Sequence, residues 1–132
     1  MSLSNPLFLT KEQILLFHRQ QLELFGGQDG IGDMSLLESA LFQPINTWLY
    51  HSEADIFDLA SAYAFHLAKN HPFHDGNKRT AFQACLAFLA GNGLTLHGED
   101  SEIYETVIKL TTSTITKAEF ASYLRTHSKA EK

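Results

Sequence analysis

The chain has 132 residues, 44% of them hydrophobic, and a formal net charge of −5. That length fits one domain, that apolar share excludes a disordered chain, and the acidic balance argues against direct nucleic-acid binding, which needs a basic surface. The single cysteine, Cys85, excludes an internal disulfide, no stretch is apolar enough to span a membrane, and no basic-then-apolar leader opens the chain, so a cytoplasmic protein without membrane contact is expected.

Residues 1–9 read as an N-terminal leader. Thr10-Lys11-Glu12-Gln13 then forms a capping box, which predicts a first helix carrying Ile14, Leu15, Leu22 and Phe25 and ending at Gly26-Gly27. Asp33 or Ser35 is placed to cap a second helix through Leu41 or Phe42, with Pro44 as its stop. The aromatic stretch Gln43–His51 has no clear helical pattern. Trp48 and Tyr50 either fold back onto the core or line a surface that docks a partner. Ile56, Leu59, Ala60, Tyr63, Ala64 and Leu67 have the spacing of a third helix. It should end near Asn70, because Pro72 disfavours helix at the residue before it.

A fourth helix is predicted from about Asn77 to Gly91-Asn92-Gly93. Ala81, Phe82, Cys85, Leu86, Phe88 and Leu89 make it apolar around much of its circumference, the mark of a central helix. A fifth spans about Glu99–Thr112. A sixth starts at Thr116, with Glu119 completing a capping box, and runs to about His127. Residues 128–132 read as a polar tail. Strand signals are weak, and Thr111–Thr116 is too short to count as one. The sum is an all-α single domain of about six helices.

Between the third and fourth helices lies His71-Pro72-Phe73-His74-Asp75-Gly76-Asn77-Lys78-Arg79. A glycine turn ahead of a helix brings backbone N–H groups and the positive end of a helix dipole to one point, which suits an anion. Lys78 and Arg79 fall in the first helical turn, where cations are normally unfavourable. A bound polyphosphate would resolve that conflict. The residues alone also admit a plainer reading, with Asp75 or Asn77 as an N-cap and the two cations in solvent.

The side chains fit phosphoryl transfer, which needs positioning and charge neutralisation more than covalent help. An imidazole is largely neutral near pH 7 and takes a proton from a hydroxyl; His71 is the candidate base. Phe73 anchors the loop. Asp75 is the candidate Mg²⁺ ligand, since magnesium favours one carboxylate plus phosphate oxygens and water. Gly76, Asn77, Lys78 and Arg79 are the candidate phosphate contacts. The Walker run and the protein-kinase motifs are absent from the sequence, so a nucleotide enzyme here must be of another design.

This segment resembles the signature of Fic/Doc proteins, and more narrowly of the Doc (death-on-curing) branch. Fic enzymes that transfer AMP carry Gly after the motif's Asn; this chain has Lys78. Gly30-Ile31-Gly32-Asp33, Leu36–Leu41 and Ala62–Leu67 also resemble Doc, so the likeness runs from about Thr10 to Arg125. It implies a compact helical Fic/Doc domain over residues 10–127. It also implies a toxin that moves the γ-phosphate of ATP, with Mg²⁺, to a threonine of elongation factor Tu. His71 matches the base, Asp75 the metal ligand, and Asn77, Lys78 and Arg79 the phosphate contacts, with Lys69 as a possible assisting cation. The implied partner is a cognate antitoxin whose disordered tail folds onto the toxin.

The chain departs from the family in two places. Gly32 stands where many relatives carry Arg, and the inhibitory Ser/Thr-x-x-x-Glu-Gly/Asn helix of many Fic proteins has no match. Two further readings stand beside the kinase: an AMP transferase, and a non-catalytic helical module that binds a protein through the same groove.

Overall fold

The computed structural model describes residues 5–130; the first four residues of the leader and the last two of the tail lie outside the described residues. Six helices appear in order, α1 Lys11–Phe25, α2 Met34–Tyr50, α3 Ile56–Asn70, α4 Asn77–Gly91, α5 Asp100–Thr111 and α6 Lys117–His127. The fold is all-α, with one small two-stranded sheet.

Local chemistry starts these helices. Thr10 caps α1, and its side chain and that of Gln13 exchange hydrogen bonds with each other's backbone N–H. Thr116 and Glu119 do the same for α6. Asp33, not Ser35, caps α2, and an Asp55–Asp58 box opens α3. Each cap satisfies N–H groups that a helix start otherwise leaves unpaired.

α3 and α4 form the centre. α3 packs against α2, α4, α5 and α6, while α4 packs against α1, α3, α5 and the sheet. Tyr63, Phe88, Leu59, Leu67 and Leu89 are fully buried between them. Cys85 is buried too, and burial pushes its thiol up to about 12.

Two expectations fail for tertiary reasons. Pro44 does not stop α2, which continues to Tyr50. A proline inside a helix costs about 3 kcal/mol through a lost hydrogen bond and ring crowding. Here Pro44 continues the buried stripe of Leu37 and Ala40, and Trp48 extends it onto the core. That burial offsets the cost. The aromatics part company: Trp48 packs inward and Tyr50 is 78% exposed.

The second difference is the sheet. β1 Leu94–Leu96 pairs antiparallel with β2 Ser128–Ala130, in register Leu94↔Ala130. The start of the expected polar tail is therefore a strand. Three residues are too few to show a strand period, and only folding brings the two segments together.

Candidate active site

The helix break after α3 creates the site. Pro72 disfavours right-handed helix at His71. His71 instead caps α3 in the left-handed region, at φ 53° and ψ 53°. That conformation costs a non-glycine residue about 1–3 kcal/mol and tends to persist where a side chain must be aimed.

The loop that follows is held from three sides. Phe73 is buried, and its backbone N–H and C=O both bond the Asn77 side chain at 2.9 Å. The α1–α2 connection lies across the loop. Gly32 and Asp33 donate their N–H groups to the Pro72 carbonyl at 2.8 and 3.1 Å, and His74 donates to Gly30 at 3.2 Å. Gly30 has φ 117°, and a Cβ there would lie 3.0 Å from the His74 ring. From below, the His18 ring of α1 stacks on Phe73 at 3.7 Å, and its Nε2–H donates to the Asp75 carbonyl at 2.8 Å.

Gly76, at φ 80°, is the N-cap of α4, and no side chain caps the helix. Neither Asp75 nor Asn77 acts as the cap that the plainer reading of the motif assigns to them. Thr80 is the first N–H of α4 to bond within the helix, to Gly76 at 2.9 Å. The residues ahead of it, whose N–H groups a helix start leaves unpaired with the helix dipole behind them, line an open groove.

The groove has a volume of about 380 Å³, within the usual range for a small-molecule site. His71, Asp75, Gly76, Asn77, Lys78 and Arg79 line it together with the α1 end, Phe25–Gly27, and Tyr104 of α5. Asp75 is its one carboxylate among the described residues, and one of its oxygens accepts the Gln28 N–H at 2.7 Å. The other oxygen remains for a cation. No described cluster of three or more His, Cys, Asp or Glu side chains could cage a metal. A lone carboxylate in a phosphate-sized groove fits Mg²⁺, which completes its shell with phosphate oxygens and water.

Six of the seven residues singled out in the sequence thus meet on one surface. Lys69 does not. It sits in the last turn of α3, and its Nζ donates to Ser113 Oγ at 2.8 Å. Asn77 lines the groove, but its amide is engaged with Phe73. What it offers a ligand is its backbone N–H.

Three residues of the site escape the motif. Arg79 is sandwiched between Phe25 and Tyr104, with ring centroids 4.0 and 3.9 Å from its guanidinium carbon. Phe25 looked like a core residue of α1, yet it is 58% exposed because it covers Arg79. His18 is the third. Its one sequence signal is a histidine four residues from Ile14 and four from Leu22, on the apolar face of α1.

Position 32, where many relatives have Arg, abuts the loop itself. A Cβ on Gly32 would lie 3.4 Å from the Pro72 carbonyl and 3.8 Å from His74 Nδ1.

The family model described as Fic/DOC family matches residues 8–89. Among curated proteins, the chain is similar to "Protein kinase doc" of Escherichia phage P1. The two are 26% identical over 117 residues, covering 89% of this chain and 92% of that one. It is also similar to "Toxin Doc" of Mycolicibacterium smegmatis (strain ATCC 700084 / mc(2)155), 42% identical over 74 residues, 54% of this chain and 56% of that one.

Proposed function

The chain belongs to the Fic/DOC family, in its Doc branch, and from that premise we propose that it is the toxin of a toxin–antitoxin pair. It transfers the γ-phosphate of ATP to a threonine of elongation factor Tu in the cytoplasm, and translation halts. The observation that carries this reading is the groove. A candidate base, one carboxylate and two cations converge on the uncapped start of α4.

In this account the triphosphate lies against the first turn of α4. The backbone N–H groups of that turn, Lys78 and Arg79 face its oxygens and neutralise their charge. Asp75 would hold Mg²⁺, which would supply further neutralisation of the phosphate charge. His71, which lines the same groove, takes the proton of the threonine hydroxyl. The threonine oxygen forms a bond to the γ-phosphorus, the bond from that phosphorus to the β,γ-bridging oxygen breaks, and ADP leaves. Catalysis is positioning plus electrostatics, with no covalent enzyme intermediate.

Lys78 supports γ-phosphate rather than AMP transfer, because the AMP-transferring members of the family carry Gly at that place. The absent inhibitory motif supports control by a second chain, an antitoxin whose disordered tail folds onto the toxin.

Expression in a bacterial host without antitoxin tests the reading. Wild type should arrest growth, and elongation factor Tu purified from arrested cells should carry one added phosphate on threonine. His71→Ala should leave growth and elongation factor Tu unchanged. Wild type and His71→Ala proving equally harmless would contradict it.

A further inference from the structure

We infer that His18, which lies outside the motif on α1, is a positioning residue that locks the Asp75–Gly76 peptide so that the Gly76 N–H points into the groove. The inference rests on the reading of that groove as a triphosphate site.

The argument begins with Gly76. Its φ of 80° suits glycine, and the same freedom leaves the peptide ahead of it easy to flip. A flip would exchange the directions of the Asp75 carbonyl and the Gly76 N–H. One presents negative charge to a phosphate, the other positive. A loop ending in glycine therefore needs an outside strut to hold one orientation.

His18 supplies that strut. It is 4% exposed, beneath the loop. Its ring lies nearly parallel to Phe73, 9° apart, and its Nε2–H donates to the Asp75 carbonyl at 2.8 Å. The carbonyl thus points inward, toward α1. Among the described residues no peptide bond is cis, and in a planar trans peptide the C=O and the following N–H point in opposite directions. The Gly76 N–H is thereby turned away from His18 and outward. Gly76 lines the groove, and among the described residues no protein group accepts from its N–H. Phe73 is itself held, its backbone by the two hydrogen bonds it exchanges with the Asn77 side chain and its ring by burial. His18 therefore braces the turn against a rigid neighbour.

Two substitutions separate packing from hydrogen bonding. His18→Phe keeps the stack and removes the donor. His18→Gln loses the stack and keeps an amide N–H near the place of Nε2. The probe is ATP with Mg²⁺, titrated calorimetrically. The Gly76 amide resonance is followed by NMR, and thermal melting shows that each variant is folded. His18→Phe should bind about ten- to a hundredfold more weakly, the loss expected when one hydrogen bond no longer reaches a charged oxygen. Its Gly76 amide should no longer shift on ligand addition. His18→Gln should recover most of the affinity.

Unchanged affinity and an unchanged Gly76 response in folded His18→Phe would overturn the inference. If that variant does not fold, the wild type decides. A Gly76 amide that moves on ATP addition supports the inference, and one that stays still while ATP binds overturns it. Wild type that binds no ATP at all would instead overturn the triphosphate reading, and this inference with it.

Discussion

The guanidinium carbon of Arg79 lies 3.9 Å from the ring centroid of Tyr104. Arg79 sits in the first turn of α4 and Tyr104 on α5, so the contact joins two helices across the wall of the groove. A cation held over an aromatic face is worth about 0.5–2 kcal/mol. It also fixes the plane of the guanidinium, which matters when the ligand is a phosphate with set oxygen positions. Phe25 closes the other side at 4.0 Å.

Tyr104→Leu is therefore expected to lower kcat by about 2- to 30-fold, the range those energies give. Tyr104→Phe, which keeps the ring, should stay near wild type. In an Arg79→Ala background Tyr104→Leu should cause no further loss. Steady-state kinetics on the double-mutant cycle checks this. Additive losses would mean that Tyr104 acts apart from Arg79.

Asn77 bridges both backbone groups of Phe73 while buried. Asn77→Ala leaves a buried donor and a buried acceptor without partners, so it should lower stability by about 2–4 kcal/mol. Asn77→Asp keeps the acceptor but sets a second carboxyl oxygen against the Phe73 carbonyl in a buried place, so it should lose at least as much. Urea unfolding midpoints at constant m-value measure both. A loss under about 0.5 kcal/mol in Asn77→Ala would show that the clamp contributes little.

Gly27 has φ 121°, and a Cβ there would lie 3.0 Å from Asp75 Cβ and 3.1 Å from Leu22 Cδ2. Gly27→Ala should lower stability by about 1–3 kcal/mol through backbone strain and crowding. It should also displace Asp75. ATP affinity measured with Mg²⁺ should then fall, while affinity measured with EDTA should change little.

His66 bears on pH dependence. Burial, helped by the nearby Lys117 ammonium, lowers its pKa from 6.5 to about 4. Lys117 Nζ donates to His66 Nε2 at 3.3 Å, so the neutral ring is the one that fits. The unfolded chain takes up this proton near pH 6.5 and the folded chain only near 4. Between those values the unfolded state binds more protons. This contribution is thus fully present above about pH 6.5, declines as pH falls, and levels off below about 4. Urea unfolding between pH 4 and 7 should show that slope, and His66→Gln should flatten it.

The sequence made visible what neighbours in the chain decide. The Thr10–Gln13 and Thr116–Glu119 boxes span four residues each and form as read. The motif is contiguous, so His71, Asp75 and Gly76–Arg79 were recognisable before their geometry was known. What was hidden depends on distant partners. Pro44 reads as a helix stop until burial beside Leu37 and Ala40 outweighs it. Lys69 is close to His71 in sequence, but its ammonium is engaged by Ser113, a partner distant in the chain. His18, Phe25 and Tyr104 reach the site from α1 and α5, and no local spacing links them to it.

The most direct test of the central claim is a transfer assay with the purified chain, Mg²⁺ and elongation factor Tu. Parallel reactions contain ATP labelled at the α- or the γ-phosphate, with His71→Ala as control. The account predicts label on elongation factor Tu from the γ-position alone, and none with the mutant. Label from the α-position, or transfer that persists in His71→Ala, would contradict it.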